Sequence, residues 1–156
     1  MSFLRELKKE CLKLNQQNKM SDCIFCKIAK GEIPAKIIAE NQDALAFLDI
    51  EPKSPGHTLV IPKKHYSDLF GIPEEELKNL FLLVQKSVQI LKDRLQAEGF
   101  NVGYNHGPVA GQEVMHLHIH ILPRYKGDGG RPIQSLVNNQ TVDLEEVYKK
   151  LKVKLW

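Results

Sequence analysis

At 156 residues, 42% hydrophobic and 26% charged, the chain has the size and composition of one globular domain able to bury a core without disulfide staples. That excludes disordered, collagen-like and disulfide-scaffold classes. No run approaches the roughly 18 consecutive apolar residues of a membrane helix, and no N-terminal stretch has a signal peptide's apolar region, which points to a soluble, cytoplasmic protein with no membrane partner. The formal charge of +3 sits entirely in residues 1–19, since the rest of the chain is balanced. The domain proper thus lacks the basic excess and interleaved aromatics of a nucleic-acid groove.

In chain order, residues 1–19 form an N-terminal extension. Leu4, Leu7, Cys11 and Leu14 recur at amphipathic-helix spacing, so the segment is either a docked helix or a disordered tail. Residues 20–156 read as a single domain. Short strands are expected around Lys36–Glu40, Leu45–Asp49, His57–Ile61, Asn101–Asn105 and Met115–Leu122, separated by Gly and Pro signals. A long helix starts at Pro73, carries Glu74, Glu75 and Glu76 in its positive first turn and stops at Gly99. Its expected buried stripe is Leu77, Leu80, Phe81, Val84, Val88, Leu91 and Leu95. A second helix opens at Asp143, with Glu146 as capping-box partner, and runs to about Lys152. Helices grouped after strands, rather than alternating with them, predict an α+β fold on a largely antiparallel five-stranded sheet.

The histidine distribution is abnormal. Of six histidines, three stand at positions 116, 118 and 120. On a strand His116, His118 and His120 share one face and Leu117, Ile119 and Ile121 the other, so the apolar face is core and the imidazole face is chemistry. Two readings follow. Paired imidazoles can hold a catalytic zinc with an open position for water. Alternatively the middle imidazole is itself a nucleophile, its neighbours fixing its tautomer and donating to a charged oxygen. The preceding Asn105–Gln112 loop favours the second, because N–H groups around Gly111, Gln112 and Glu113 can cradle a phosphate.

Gln112-x-x-x-His116-x-His118-x-His120, with apolar residues between the histidines, resembles the signature of the histidine triad (HIT) family of nucleotide hydrolases and transferases. The likeness extends to Ile24–Ile28, Gly31–Pro34, Ala46–Ile50, Gly56–His65 and Leu122–Tyr125. It is similar to the nucleotide-binding branch, bacterial type, and covers about residues 22–126.

The resemblance implies that His118 attacks an α-phosphate, forming a covalent nucleotidyl-histidine that water resolves. It further implies that His120 contacts the phosphate and that His57, paired with His116 or His118, supports the triad. Asp49 would take the ribose hydroxyls. Phe25, Ile28, Phe47 and Ile50 would sandwich a purine, Asn105 would lie near the leaving group, and Gly111, Gln112, Glu113 and Val114 would form the phosphate loop. Glu113 departs from the serine or threonine common there; its carboxylate repels phosphate, so only its N–H can serve. The expected activity is purine nucleoside phosphoramidase. A dinucleoside polyphosphate hydrolase and a non-catalytic nucleotide-binding protein are the alternatives.

Cys23 and Cys26 have structural-zinc spacing, with a redox pair or two buried thiols as rivals. In the resemblance His65 and His116 complete a closed Cys2His2 site, making zinc structural and leaving catalysis without a metal requirement. The family also implies a homodimer whose sheets join into ten strands.

Overall fold

A computed structural model describes residues 22–137 and 142–152. The expected N-terminal helix therefore lies outside the described residues. Five strands, β1 (Ile37–Glu40), β2 (Ala44–Leu48), β3 (Thr58–Pro62), β4 (Gly99–Gly103) and β5 (Ile119–Arg124), form one sheet in the order β1-β2-β3-β5-β4, every neighbouring pair antiparallel. Among the described residues three α-helices accompany them: α1 (Ile24–Ala29), α2 (Glu74–Leu95) and α3 (Leu144–Leu151).

Alternation along the strands splits the core into two layers. On one side Ala44, Ala46, Val60, Leu117, Ile119 and Ile121 pack beneath Leu80, Leu83, Val84 and Leu91 of α2. On the other, Leu45, Phe47, Leu59 and Ile61 meet Phe25 and Ile28 of α1. Register sets His120 opposite Leu59, which places it on the α1 side. The predicted division of the histidine segment into an imidazole side and an apolar side is thus the observed one.

Several boundaries differ from expectation. Regular β5 begins at Ile119 rather than Met115, because Leu117 N donates to Tyr66 O and His116 N to Val114 O, anchoring the preceding residues outside the ladder. β4 lies two residues earlier than predicted, since α2 ends at Leu95 with Gln96 in the left-handed region (φ 55°), and Gly99 then opens the strand instead of stopping the helix. Phe81 and Leu95 are exposed, at 47% and 43%, whereas Leu83 and Ser87 are buried. Ser87 faces the core because its hydroxyl bonds back to Leu83 O at 2.8 Å, removing the cost of a buried donor. The prediction omitted α1, whose six residues have no side-chain cap and no acid in the first turn.

The second predicted helix is present. Asp143 accepts from the N–H groups of Glu145 and Glu146, but the Glu146 carboxylate pairs with Lys150 rather than closing a capping box. Gly56 (φ 85°) makes the turn into β3, where an added Cβ would lie 2.5 Å from the Leu95 side chain.

Leu80→Ala is expected to cost about 2–5 kcal/mol in urea unfolding through the cavity it leaves under the sheet. Phe81→Ala, one residue on but half in water, is expected to change stability by about 0.5 kcal/mol.

Candidate active site and metal centre

Two side-chain clusters share the α1 face, and His116 joins them. In the first, Cys23 and Cys26 at the start of α1 meet His65, after β3, and His116, which is fully buried. Cys23 Sγ and Cys26 Sγ lie 3.4 and 3.5 Å from His116 Nδ1, and Cys26 Sγ lies 3.3 Å from His65 Nδ1. Donors bonded tetrahedrally to zinc at about 2.3 Å (S) and 2.0 Å (N) would stand about 3.5 Å apart, so the residues fit the ion. His116 Nε2 donates to Pro62 O at 2.9 Å, which leaves the Nδ1 lone pair facing the thiols. Burial lowers His116 to about 4. It is therefore neutral, the form in which imidazole ligates. Burial first, and then Cys23, pushes the Cys26 thiol up to about 12, so a nearby divalent cation is what would make its thiolate favourable.

The second cluster contains His57, His118, His120 and Asp49. His118 is 7% exposed, its ring 5.2 Å from Phe25 and 5.0 Å from His120. Its Nδ1 donates to the His116 carbonyl at 2.7 Å, so its Nε2 carries the lone pair. Lys53 N donates to His57 Nδ1 at 3.3 Å, which puts the His57 proton on Nε2, 3.0 Å from His120 Nδ1. His120 accepts there and keeps its own proton on Nε2. A bare nitrogen on His118 thus neighbours an N–H on His120, an acceptor and a donor side by side.

These contacts correct two expectations. His57 pairs with His120, not with His116 or His118, because the β3–β5 register brings its end of β3 beside His120. The His116 imidazole does not join the His118–His120 network. Both its nitrogens are committed elsewhere, and it serves that network through its carbonyl.

Asp49 Oδ1 accepts from Glu51 N at 2.9 Å, opening the turn after β2, while Oδ2 lies 3.5 Å from His57 Nδ1. Phe25, Ile28 and Phe47 form one buried group with Val114 packed against it. Ile50 is not part of that group. It follows β2 in the turn and stands 91% exposed.

The 105–114 loop is narrower as an anion cradle than its glycines suggest. Gly111 N and Gln112 N already donate to Pro108 O and Gly107 O, closing the short 3₁₀ turn Pro108–Ala110. The N–H groups of Glu113 and Val114, by contrast, are not used in this turn. The Gln112 side chain pins the loop instead, accepting from Gly107 N and donating to Ser67 O and Val114 O. Asn105 Nδ2 reaches Gly111 O at 3.4 Å.

This fold and a histidine-rich site of this kind define a class, and the comparisons agree on it. The family model for the HIT domain matches residues 30–127, and the chain belongs to the HIT domain family. It is 52% identical over 130 residues to an uncharacterized HIT-like protein of Methanocaldococcus jannaschii, covering 83% of this chain and 98% of that one. An adenosine 5′-monophosphoramidase of Saccharomyces cerevisiae is 37% identical, with 85% and 82% covered. Among solved structures, a HIT family member from Bacillus subtilis superposes with TM-score 0.73 at 37% identity, covering 83% and 92%. A zinc-bound histidine triad family protein from Mycobacterium smegmatis gives TM-score 0.66 at 37% identity, covering 83% and 90%.

Burial lowers His57 and takes His120 down to about 4, with His118 and His57 adding to the effect at His120. Between the ordinary value of 6.5 and about 4, the unfolded chain takes up protons that these folded imidazoles refuse. Stability therefore falls as pH drops through that window. The urea midpoint is expected to decrease between pH 6.5 and 4, and His120→Gln should flatten that slope.

Proposed function

We propose that the protein is a purine nucleoside phosphoramidase, acting on adenosine 5′-phosphoramidate-type substrates through a nucleotidyl-His118 intermediate. The observation that carries this reading is the His118 Nδ1–H bond to the His116 carbonyl, which leaves the lone pair on Nε2, with the His120 ring 5.0 Å from that of His118. The phosphoramidase names of fungal relatives support the same class of reaction.

In this reading the base rests on Phe25, Ile28 and Phe47, with Ile50 covering it from the solvent side, and Asp49 takes the ribose hydroxyls. The phosphate oxygens accept from Glu113 N, Val114 N and His120 Nε2. His118 Nε2 forms a bond to phosphorus as the P–N bond breaks; the leaving nitrogen, already protonated, departs with the bonding pair as a neutral amine. Asn105 is the amide beside that departing group. Water then attacks phosphorus, the P–Nε2 bond breaks, a proton is released, and AMP and neutral His118 are regenerated. His57 acts through His120, holding its tautomer.

Zinc at Cys23, Cys26, His65 and His116 is structural, because four protein ligands leave no open position for substrate or water. It fixes α1 against the sheet and, through the His116 backbone, steadies the carbonyl that orients His118. The solved zinc-bound relative supports the identity of the ion. We also read the protein as a cytoplasmic homodimer. β4 is a sheet edge with Val102 exposed on the α2 side, and a second copy would cover that edge.

AMP release from adenosine 5′-phosphoramidate should survive chelation in the folded wild type and fall at least about 10³-fold in His118→Ala. Retained activity in the variant overturns the mechanism, and turnover of dinucleoside polyphosphates alone would move the assignment to that hydrolase class. Metal analysis should find about one zinc per chain in wild type and His118→Ala, and none in Cys26→Ser, with a lowered Tm for the last.

A further inference from the structure

The three glutamates that open α2 look alike in the sequence and differ in the structure. Glu74 and Glu75 are exposed and pair with Lys78, while Glu76 is 9% exposed and turns back to the segment that follows β3. One of its carboxylate oxygens takes the Lys64 ammonium, and the other accepts from the Tyr66 hydroxyl at 3.0 Å. A buried acid in the positive first turn of a helix is stable when both oxygens are bonded in this way.

The segment that Glu76 grips, residues 63–73, is neither helix nor strand, so its place depends on such tethers. Three consecutive residues of it nevertheless serve the site. His65 joins the cluster with Cys23, Cys26 and His116, the Tyr66 carbonyl accepts from Leu117 N, and the Ser67 carbonyl accepts from the Gln112 side chain.

The Tyr66 contact is the one that reaches His118. The Leu117 N–H and the His116 carbonyl belong to a single planar, trans peptide group, so they point in opposite directions. Tyr66 O holds the N–H end, and the carbonyl end accepts from His118 Nδ1 at 2.7 Å. A hydrogen bond at one end of a peptide polarises the other, and the plane cannot turn without disturbing both. An unbroken series of contacts thus runs from the Glu76 carboxylate through Tyr66 and the 116–117 peptide to the imidazole.

We propose that Glu76 is a positioning residue for His118: by gripping Lys64 and Tyr66 it fixes the carbonyl that orients the 116–117 peptide, and with it the tautomer and aim of the ring. The kinetic consequence rests on the phosphoramidase reading, whereas the tautomer can be read without any substrate. Glu76 belongs to α2, which covers the core layer opposite Phe25 and Phe47, so its loss falls in kcat rather than KM.

The test compares wild type with Glu76→Ala, Glu76→Gln, Tyr66→Phe and, from the same helical turn, Glu75→Gln. Glu76→Ala should lower kcat for AMP release from adenosine 5′-phosphoramidate about tenfold, with KM within about twofold. Ring-nitrogen NMR of His118 should show Nδ1–H in wild type and a mixture of both tautomers in Glu76→Ala. Tyr66→Phe, which removes only the hydroxyl, should move kcat and tautomer in the same direction. Glu76→Gln, whose amide oxygen can still accept from Tyr66, should recover most of both, and Glu75→Gln should match wild type. A lowered Tm in Glu76→Ala with kcat and tautomer unchanged, or an equal loss in Glu75→Gln, overturns the proposal. If Glu76→Ala does not fold, an unchanged tautomer in Tyr66→Phe overturns it instead. If folded wild type releases no AMP, the phosphoramidase reading fails and the tautomer comparison alone decides the role of Glu76.

Discussion

The backbone and side chain of His116 tie the Cys23–Cys26–His65 cluster to the other histidines. Its ring is fully buried, with Nε2–H held by the Pro62 carbonyl and Nδ1 aimed at the thiols of Cys23 and Cys26. Its own carbonyl accepts from His118 Nδ1 and so decides which nitrogen of His118 is left bare. One residue therefore couples the α1 segment, the end of β3 and the orientation of the candidate nucleophile. A buried imidazole with either nitrogen unpaired would cost a full desolvation penalty, so the arrangement favours all of these contacts together.

The second constraint is a directional chain of hydrogen bonds. Lys53 N donates to His57, His57 donates to His120, and His120 is left with an N–H to present. His118 and His120, two positions apart, thus hold opposite tautomers, one an acceptor and one a donor, without any charged group being buried. Burial keeps His57 and His120 neutral near pH 7, which preserves this polarity; protonation of His120 at Nδ1 would set two donors against each other.

Period-two alternation was enough to predict that His116, His118 and His120 face one way and Leu117, Ile119 and Ile121 the other, and the two core layers bear this out. The same alternation misjudged where β5 begins, because contacts from Tyr66 and Val114 hold residues 116–118 outside the ladder. Of the expected α2 stripe, Leu80, Val84 and Leu91 are buried, whereas Phe81 and Leu95 are exposed and Leu83 and Ser87 are buried in addition, the serine with its hydroxyl satisfied within the helix. The six-residue α1 had no capping signal to reveal it. The glycines around position 111 advertised a nest, yet two of the three expected N–H groups are spent inside the loop, which only backbone geometry could reveal.

The sequence alone determined what depends on short spacing: the imidazole row, the Cys-x-x-Cys pair, the glycine loop and the five-stranded α+β plan, because a strand's two-residue repeat and a turn's local chemistry act over a few residues. Tertiary structure decided every partnership across the chain. His57 and His120 are separated by 63 positions, and Cys23 and His116 by 93. Which of three in-register histidines meets His57, which meets the thiols and which keeps a free lone pair depends on the β3–β5 register and on where α1 docks. No local pattern in the chain encodes these, because they arise from packing two core layers on one sheet.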